Sequence, residues 1–362
     1  MFEVRLSEIP LPVSERDSDS LISWLVDSFT LLRRKGEASA DLGLAEPIHR
    51  ILSDHLFSNP KKAWDNHMLA EELALTPAAI HHHMSRLVEA GLVSYTSGNG
   101  WRKYHLKGGS IARSIEMFAS AARISLLQRM EEIAGFWGRS DCRMAVELPP
   151  DDYDGIRIQI KEWHPLEDGR TILGQLMNDL GLLGERPGKE VLSGSTSIEL
   201  FKLLLSTGPP ISIDEAAAAV KDAKPRVGRI LERFRSTGIV ERVPRTDRLA
   251  TALWSAMTTQ YSRRGEDWLL IKGGFERLDI PLIILKDLAK SKLTPDKVAS
   301  RLKDIDSQKQ MLLLNLLGGR LALGYRLAGE SPQSLQQKVI DNLDRITRRM
   351  KRVGTLLEES LA

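Results

Sequence analysis

The stretch from Asp65 to Leu106 constrains the fold most, because its apolar period switches from helical to strand-like within some forty residues. Asp65 suits the N-cap of a short helix running through Leu73. Leu75-Thr76 reads as a tight turn, with Thr76 as the next N-cap and Pro77 at the first helical position. That helix is expected to reach about Ala90, and Gly91 stands where a left-handed C-cap belongs. Ile80, Met84, Leu87 and Val88 recur at i, i+4, i+7 and i+8 and form one stripe to bury. Ala78, His81, His82, Ser85 and Glu89 are left on the opposite face. Two strand-like runs follow, Leu92–Tyr95 and Trp101–Leu106, joined by Thr-Ser-Gly-Asn-Gly, a hairpin signal. A further helix is expected ahead of these elements, over residues 44–57.

Short helix, turn, amphipathic helix with a polar outer face, then β-hairpin is the layout of a winged helix-turn-helix. Such a helix enters a major groove while the hairpin reaches flanking phosphates. The segment LAEELALTPAAIHHHMSRLVEAGLVSYTSGNGWRKYHL resembles the DNA-binding core of ArsR/MarR-type transcriptional regulators, over about residues 44–108. It shares their L-A-x-x-L helix, their L-T/S turn, a recognition helix ending L-x-E-A-G-L-V, and a G-x-W-x-x-Y-x-L wing. The resemblance implies groove-facing positions at Pro77, Ala78, His81, His82 and Ser85, flanked by Thr76 and Arg86. It implies wing contacts from Asn99, Arg102 and Lys103. The thiolate pairs of metal-sensing relatives are absent, since Cys142 is the one cysteine of the chain.

A second unit of the same register is expected at 196–262. Ile198–Leu205 reads as a helix, Ile211-Ser212-Ile213 as a short strand, and Asp214 as the cap of DEAAAAVK. PRVGRILERFRSTGIVERV then follows the pattern of PAAIHHHMSRLVEAGLVSY, with Gly238 falling on Gly91. Its stripe is Val227, Ile230, Leu231 and Phe234. A wing is expected from Ile239–Val243 and Leu249–Leu253, turning around Pro244–Asp247. From Lys221 to Arg248 there are nine Lys or Arg against four Asp or Glu, an excess that suits phosphate. Lys224, Arg226, Arg229, Arg233, Arg245 and Arg248 are the candidate contacts, with Arg235 and Arg242 beside them.

The remaining segments frame these two. Residues 1–43 read as an acidic, Ser-rich arm with one helix around Trp24, Leu25, Phe29 and Leu32 on a single face. Residues 111–195 read as a helix over Ile111–Phe136, a hairpin pairing Val146–Leu148 with Ile156–Lys161, a helix over Thr171–Leu183, and a linker at Gly188–Ser197. Residues 263–330 look like a degenerate third winged helix, its wing within RLALGYRL. In 331–362, Leu335, Val339, Leu343, Ile346, Met350, Val353 and Leu357 step by threes and fours, which suits a dimer seam or an intrachain helix pair. The fold class expected is mainly α with small β-wings, tandem winged helices joined by a mixed α/β linker and closed by a long C-terminal helix.

Composition sets outer limits. The chain has 51 Lys and Arg against 48 Asp and Glu, so any nucleic-acid role must come from charge placement, not from the net +3. No apolar run approaches the ~18–20 residues of a bilayer helix, and the polar start carries no signal-peptide core. His81, His82 and His83 point about 100° apart on a helix and cannot chelate one ion. GERPGKE lacks the spacing of a phosphate loop, GNGWRK sits on a hairpin, and G-x-S-x-G is missing. The expectations are therefore a cytoplasmic regulator that is not an enzyme, without cofactor or metal and away from membranes. It would bind double-stranded DNA as a homodimer, with a protein partner available to the C-terminal region. The alternative is a winged-helix protein-interaction or replication and chromosome-organisation factor.

Overall fold

The computed structural model describes residues 1–12, 17–31, 47–98, 101–138, 146, 148–150, 153, 155–184 and 187–361. Asn99, Leu32 and Cys142 lie outside these residues. The described chain is mainly helical with three small antiparallel sheets.

It opens with β1 (Glu3–Ser7) and α1 (Ser18–Ser28). α2 (Pro47–Arg50) runs on into a wider π turn over Ile51–Phe57, and β2 is Trp64–Asp65. Then come α3 (Asn66–Leu73), α4 (Pro77–Glu89), β3 (Val93–Gly98), β4 (Trp101–Leu106) and the long α5 (Ile111–Ala134). β5 is Arg157–Lys161 and α6 is Ile172–Asp179.

The N-terminal arm belongs to the core. β1 pairs antiparallel with β5, Val4 facing Ile160 and Leu6 facing Ile158, all four buried. Glu147, in the middle of the strand expected to pair with Ile156–Lys161, lies outside the described residues; among those described, the partner of β5 is β1. Arg129 of α5 ties the junction. It is 2% exposed and donates to the carbonyls of Lys161 (3.0 Å) and Glu162 (2.8 Å) and to buried Asp179 (3.1 Å). Burial raises the Asp179 carboxyl against the pull of His164 and Arg129. α1 buries Leu21, Ile22, Trp24, Leu25 and Val26 in the same core.

In the C-terminal half, α7 is Thr196–Ser206, α8 Ile213–Val220 and α9 Lys224–Ser236, followed by β6 (Val240–Pro244). The expected linker is instead packed. Val191 is buried, and Glu190 accepts from the Ser197 backbone at 3.4 Å. Ser212, not Asp214, caps α8, in a reciprocal capping box with Glu215.

The strand expected at Leu249–Leu253 is helical. α10 covers Leu249–Arg264, since Leu249, Leu253, Ala256 and Met257 fall on one helical stripe and are buried together. α11 (Glu266–Ile271), α12 (Ile283–Ala289), α13 (Pro295–Arg301) and α14 (Ser307–Leu316) surround it. These helices share an apolar cluster separate from that of the rest of the chain. β7 (Leu323–Leu327), expected as the wing of a third unit, pairs antiparallel with β6 instead.

The β2–β4–β3 sheet and the β6–β7 sheet match in register, with one offset in sequence up to β3 and β6 and a larger one for the returning strands β4 and β7. In the first, Val93 faces Leu106 and Tyr95 faces Tyr104, while Trp64 of β2 also faces Tyr104. In the second, Val240 faces Leu327 and Arg242 faces Tyr325, while Ile211 bridges to Tyr325. Gly91 and Gly238 both take positive φ (75° and 77°), as do Ala74 and Lys221 (55° and 54°) at the ends of α3 and α8. The strand connections differ. Residues 99–100 join β3 to β4, whereas the whole α10–α14 cluster lies between β6 and β7.

α15 (Pro332–Leu361) closes the molecule. Leu335, Val339, Leu343, Ile346, Met350, Val353 and Leu357 are all buried, and the helix runs antiparallel against α5. Glu358 accepts from the Ala112 N–H at 3.0 Å, and Asp344 pairs with Arg123. The seam is therefore spent within the chain.

Candidate nucleic-acid interface

The first unit presents α4 by its N-terminal end. Asp65 accepts from the N–H groups of His67 and Met68, both at 2.9 Å, which starts α3. Thr76 accepts from the Ala79 N–H at 3.2 Å, and Pro77 occupies the first turn. Ile80, Met84 and Leu87 are completely buried. Their burial turns Pro77, Ala78, His81 and His82 outward, and all four are exposed. The Tyr104 hydroxyl lies 3.3 Å from His81 Nδ1 and anchors that ring to the wing. His82 meets His83 edge-on, with ring centroids 5.7 Å apart. Ser85 is half-buried, and Arg86 turns back to the Thr30 carbonyl at 3.3 Å. Burial lowers the His83 pKa, and the nearby His82 and Arg86 lower it further.

On the wing, Arg102 and Lys103 are exposed, and the Arg102 guanidinium stands 4.6 Å over the Tyr95 ring. Tyr95 was not among the expected contacts. Period-two alternation from Val93 puts it on the same face of the sheet as Tyr104, and it is exposed because this part of the wing extends past the core. Lys62 lies over Trp64 at 3.5 Å, adding a cation beside the same sheet.

The second unit is electrostatically different. Lys224 pairs with Asp214 at 2.9 Å, and Arg226 with Glu190 at 2.7 Å and Asp222 at 3.1 Å. Arg248 bridges Glu215 (3.3 Å) and Asp247 (3.7 Å). Such exposed pairs are worth about 0–1 kcal/mol and can be exchanged for phosphate. Two other candidates turn inward. Arg245 is 5% exposed, held by Glu215 and by Asp247 at 2.7 Å. Arg233 donates to the Ser197 hydroxyl at 3.0 Å, and burial lowers its pKa. Arg233 and Arg86 occupy equivalent positions and both face the protein body, so neither joins a groove-facing row. Arg235 is also buried, stacked 4.8 Å from the Tyr153 ring. Arg229, equivalent to His82, is exposed and bonds its own helix at the Pro225 carbonyl, 3.3 Å away. The expected basic face is largely satisfied by the chain's own carboxylates.

Comparison with known proteins agrees with the geometry of the first unit. Residues 66–95 match the family model described as bacterial regulatory protein, arsR family, which is a regulatory DNA-binding helix-turn-helix. The match spans α3, α4 and the start of β3. No curated protein and no solved structure matches the chain. Among the described residues, no helix is long and apolar enough to cross a membrane.

Proposed function

We propose that the chain is a DNA-binding transcription regulator that lays α4 in a major groove and sets β3–β4 on the flanking backbone. The observation that carries this reading is the outward face of Pro77, Ala78, His81 and His82 beside an exposed Arg102–Lys103 wing. Ala and His offer few base-edge donors compared with Arg or Gln, so affinity in this reading comes mainly from backbone contacts. Fluorescence anisotropy on random duplex over a salt series tests it. Binding that weakens steeply with salt supports the reading; no binding at about 50 mM salt overturns it, since such surfaces bind at least non-specifically.

We further infer that residues 196–244 with 323–330 form a second winged helix whose wing tip has been opened to receive a helical insert. The matching sheet registers support this. Its contribution to DNA is secondary, through Arg229 with Lys224, Arg226 and Arg248 released from their carboxylates. The boundaries proposed are then 44–110 for the first unit and 111–195 for the connection, with α15 serving as an intrachain brace.

The C-terminal seam is occupied within the chain, so a homodimer must use another surface. We place it on the outer face of α5, where Met117 and Ile124 are 43% and 68% exposed. Sedimentation of the Met117→Glu, Ile124→Glu variant should then give monomer where the unchanged chain gives dimer. A protein-interaction role is the second reading. It is favoured by Ile271, Leu282, Ile283 and Leu312, exposed apolar side chains on the insert.

A further inference from the structure

Where the insert joins the second unit, the chain leaves a groove of mixed polar and apolar lining, about 840 Å³, between the start of α8, one face of α10 and the 317–322 loop. That volume lies in the range of small-molecule sites, roughly 300–1,000 Å³. Three features give it a chemical character.

The first is charge. Glu215 at the rim is matched by Arg245 and Arg248, and Asp214 by Lys224. Arg263 and Arg320 also line the groove, are exposed, and have no carboxylate partner among the described residues. The groove therefore carries two uncommitted guanidinium groups, the donor best suited to planar recognition of phosphate or carboxylate oxygens.

The second is a row of hydroxyls. Thr251, Ser255 and Thr259 recur every four residues along α10 and line one wall, each exposed and able to donate or accept.

The third is the 317–322 loop that closes one side. Gln260 Nε2 donates to the Leu317 carbonyl at 2.9 Å and ties this loop to α10. Backbone placement supports the arrangement. A side chain at Gly319 would collide with Leu314 and crowd Ala256, so glycine lets the loop press on α10 and holds Arg320 on the groove wall.

We propose that this groove binds a small phosphorylated, hydroxyl-bearing ligand of the sugar-phosphate or nucleotide class. Its anion would sit between Arg263 and Arg320, and its hydroxyls would meet the row of Thr251, Ser255 and Thr259. The assignment is independent of the DNA-binding role given to α4.

Calorimetry of the full chain with ribose 5-phosphate tests it, beside inorganic phosphate and a short DNA duplex. Ribose 5-phosphate should bind, and inorganic phosphate more weakly. The Arg263→Ser, Arg320→Ser variant changes only exposed positions. It should lose at least about tenfold in ribose 5-phosphate affinity while its circular dichroism and duplex binding stay unchanged. No binding of ribose 5-phosphate up to about 1 mM overturns the proposal, as does an unchanged Kd in the variant. Weakened duplex binding in the variant also overturns it, because the groove would then be part of the DNA surface. Failure of the duplex to bind either protein would count against α4 and leave the groove result standing.

Discussion

The first unit and its counterpart in the C-terminal half share strand register, left-handed residues and buried stripe, yet they treat charge in opposite ways. The first has few cations on its outer helix face and leaves them open on the wing, with Arg102 and Lys103 exposed. The second has many, and pairs or buries most of them, down to Arg245 between Glu215 and Asp247. A local count of basic residues is therefore a poor guide to a free basic surface. Which carboxylates fold back onto the arginines decides the outcome.

The strongest test of the comparison removes the insert. If residues 246–321 merely open a wing tip, replacing them with Asn-Gly should restore a two-residue hairpin like the one at 99–100. Helicity should fall, the separate apolar cluster around Leu253 and Leu313 should vanish, and β6–β7 should stay protected in hydrogen exchange. Exposure of β6 and β7 to exchange would show that the insert is part of the second unit's core.

A smaller effect separates the two sets of cations. Arg245→Ala should destabilise the chain by about 2 kcal/mol, because it strips charge-assisted hydrogen bonds from Glu215 and Asp247. Arg102→Ala should stay within about 0.5 kcal/mol, as an exposed wing residue. Urea midpoints read both, and equal shifts would erase the contrast.

DNA binding should reverse that ranking. Removing Arg102 and Lys103 together should flatten the slope of log K against log salt by about 2, at roughly 0.9 per phosphate contact. Arg226→Ala should change the slope by less than about half of that, since Glu190 and Asp222 already neutralise it. A larger effect from Arg226 would return the main interface to the second unit.

The smallest effect is on pH. Burial holds the pKa of both His55 and His83 below the usual 6.5, so in the folded chain they stay neutral where the unfolded chain takes up a proton. Stability contributed this way is present above about pH 6.5 and is lost as pH falls below it. The segment 196–327 contains no histidine. Acidification from pH 7 to 5 should thus loosen exchange protection of α4 and β4 more than that of α9 and β7. Uniform loosening would mean that the histidines are not its source.

Much of the first unit was legible in the residues because its contacts are local. Asp65 and Thr76 cap helices three residues on, Gly91 closes a helix next to it, and the hairpin turns within two residues. The stripe of Ile80, Met84 and Leu87 needed only the helical period. The partner of β6 was not legible, because the run after Pro244 has a helical stripe and the matching strand returns only at Leu323. The pairing of β1 with β5 was hidden in the same way, across more than 150 residues of chain.

The sequence by itself determined the caps at Asp65 and Thr76, the hairpin of the first unit and the buried helix faces, since these depend on backbone geometry and neighbours within one or two turns. Tertiary structure alone decided which strand completes each sheet, that the C-terminal stripe is consumed by α5, and which arginines remain free. Each of those choices is a competition among distant partners for burial or for charge. Its winner is settled by which surfaces the whole chain brings within reach.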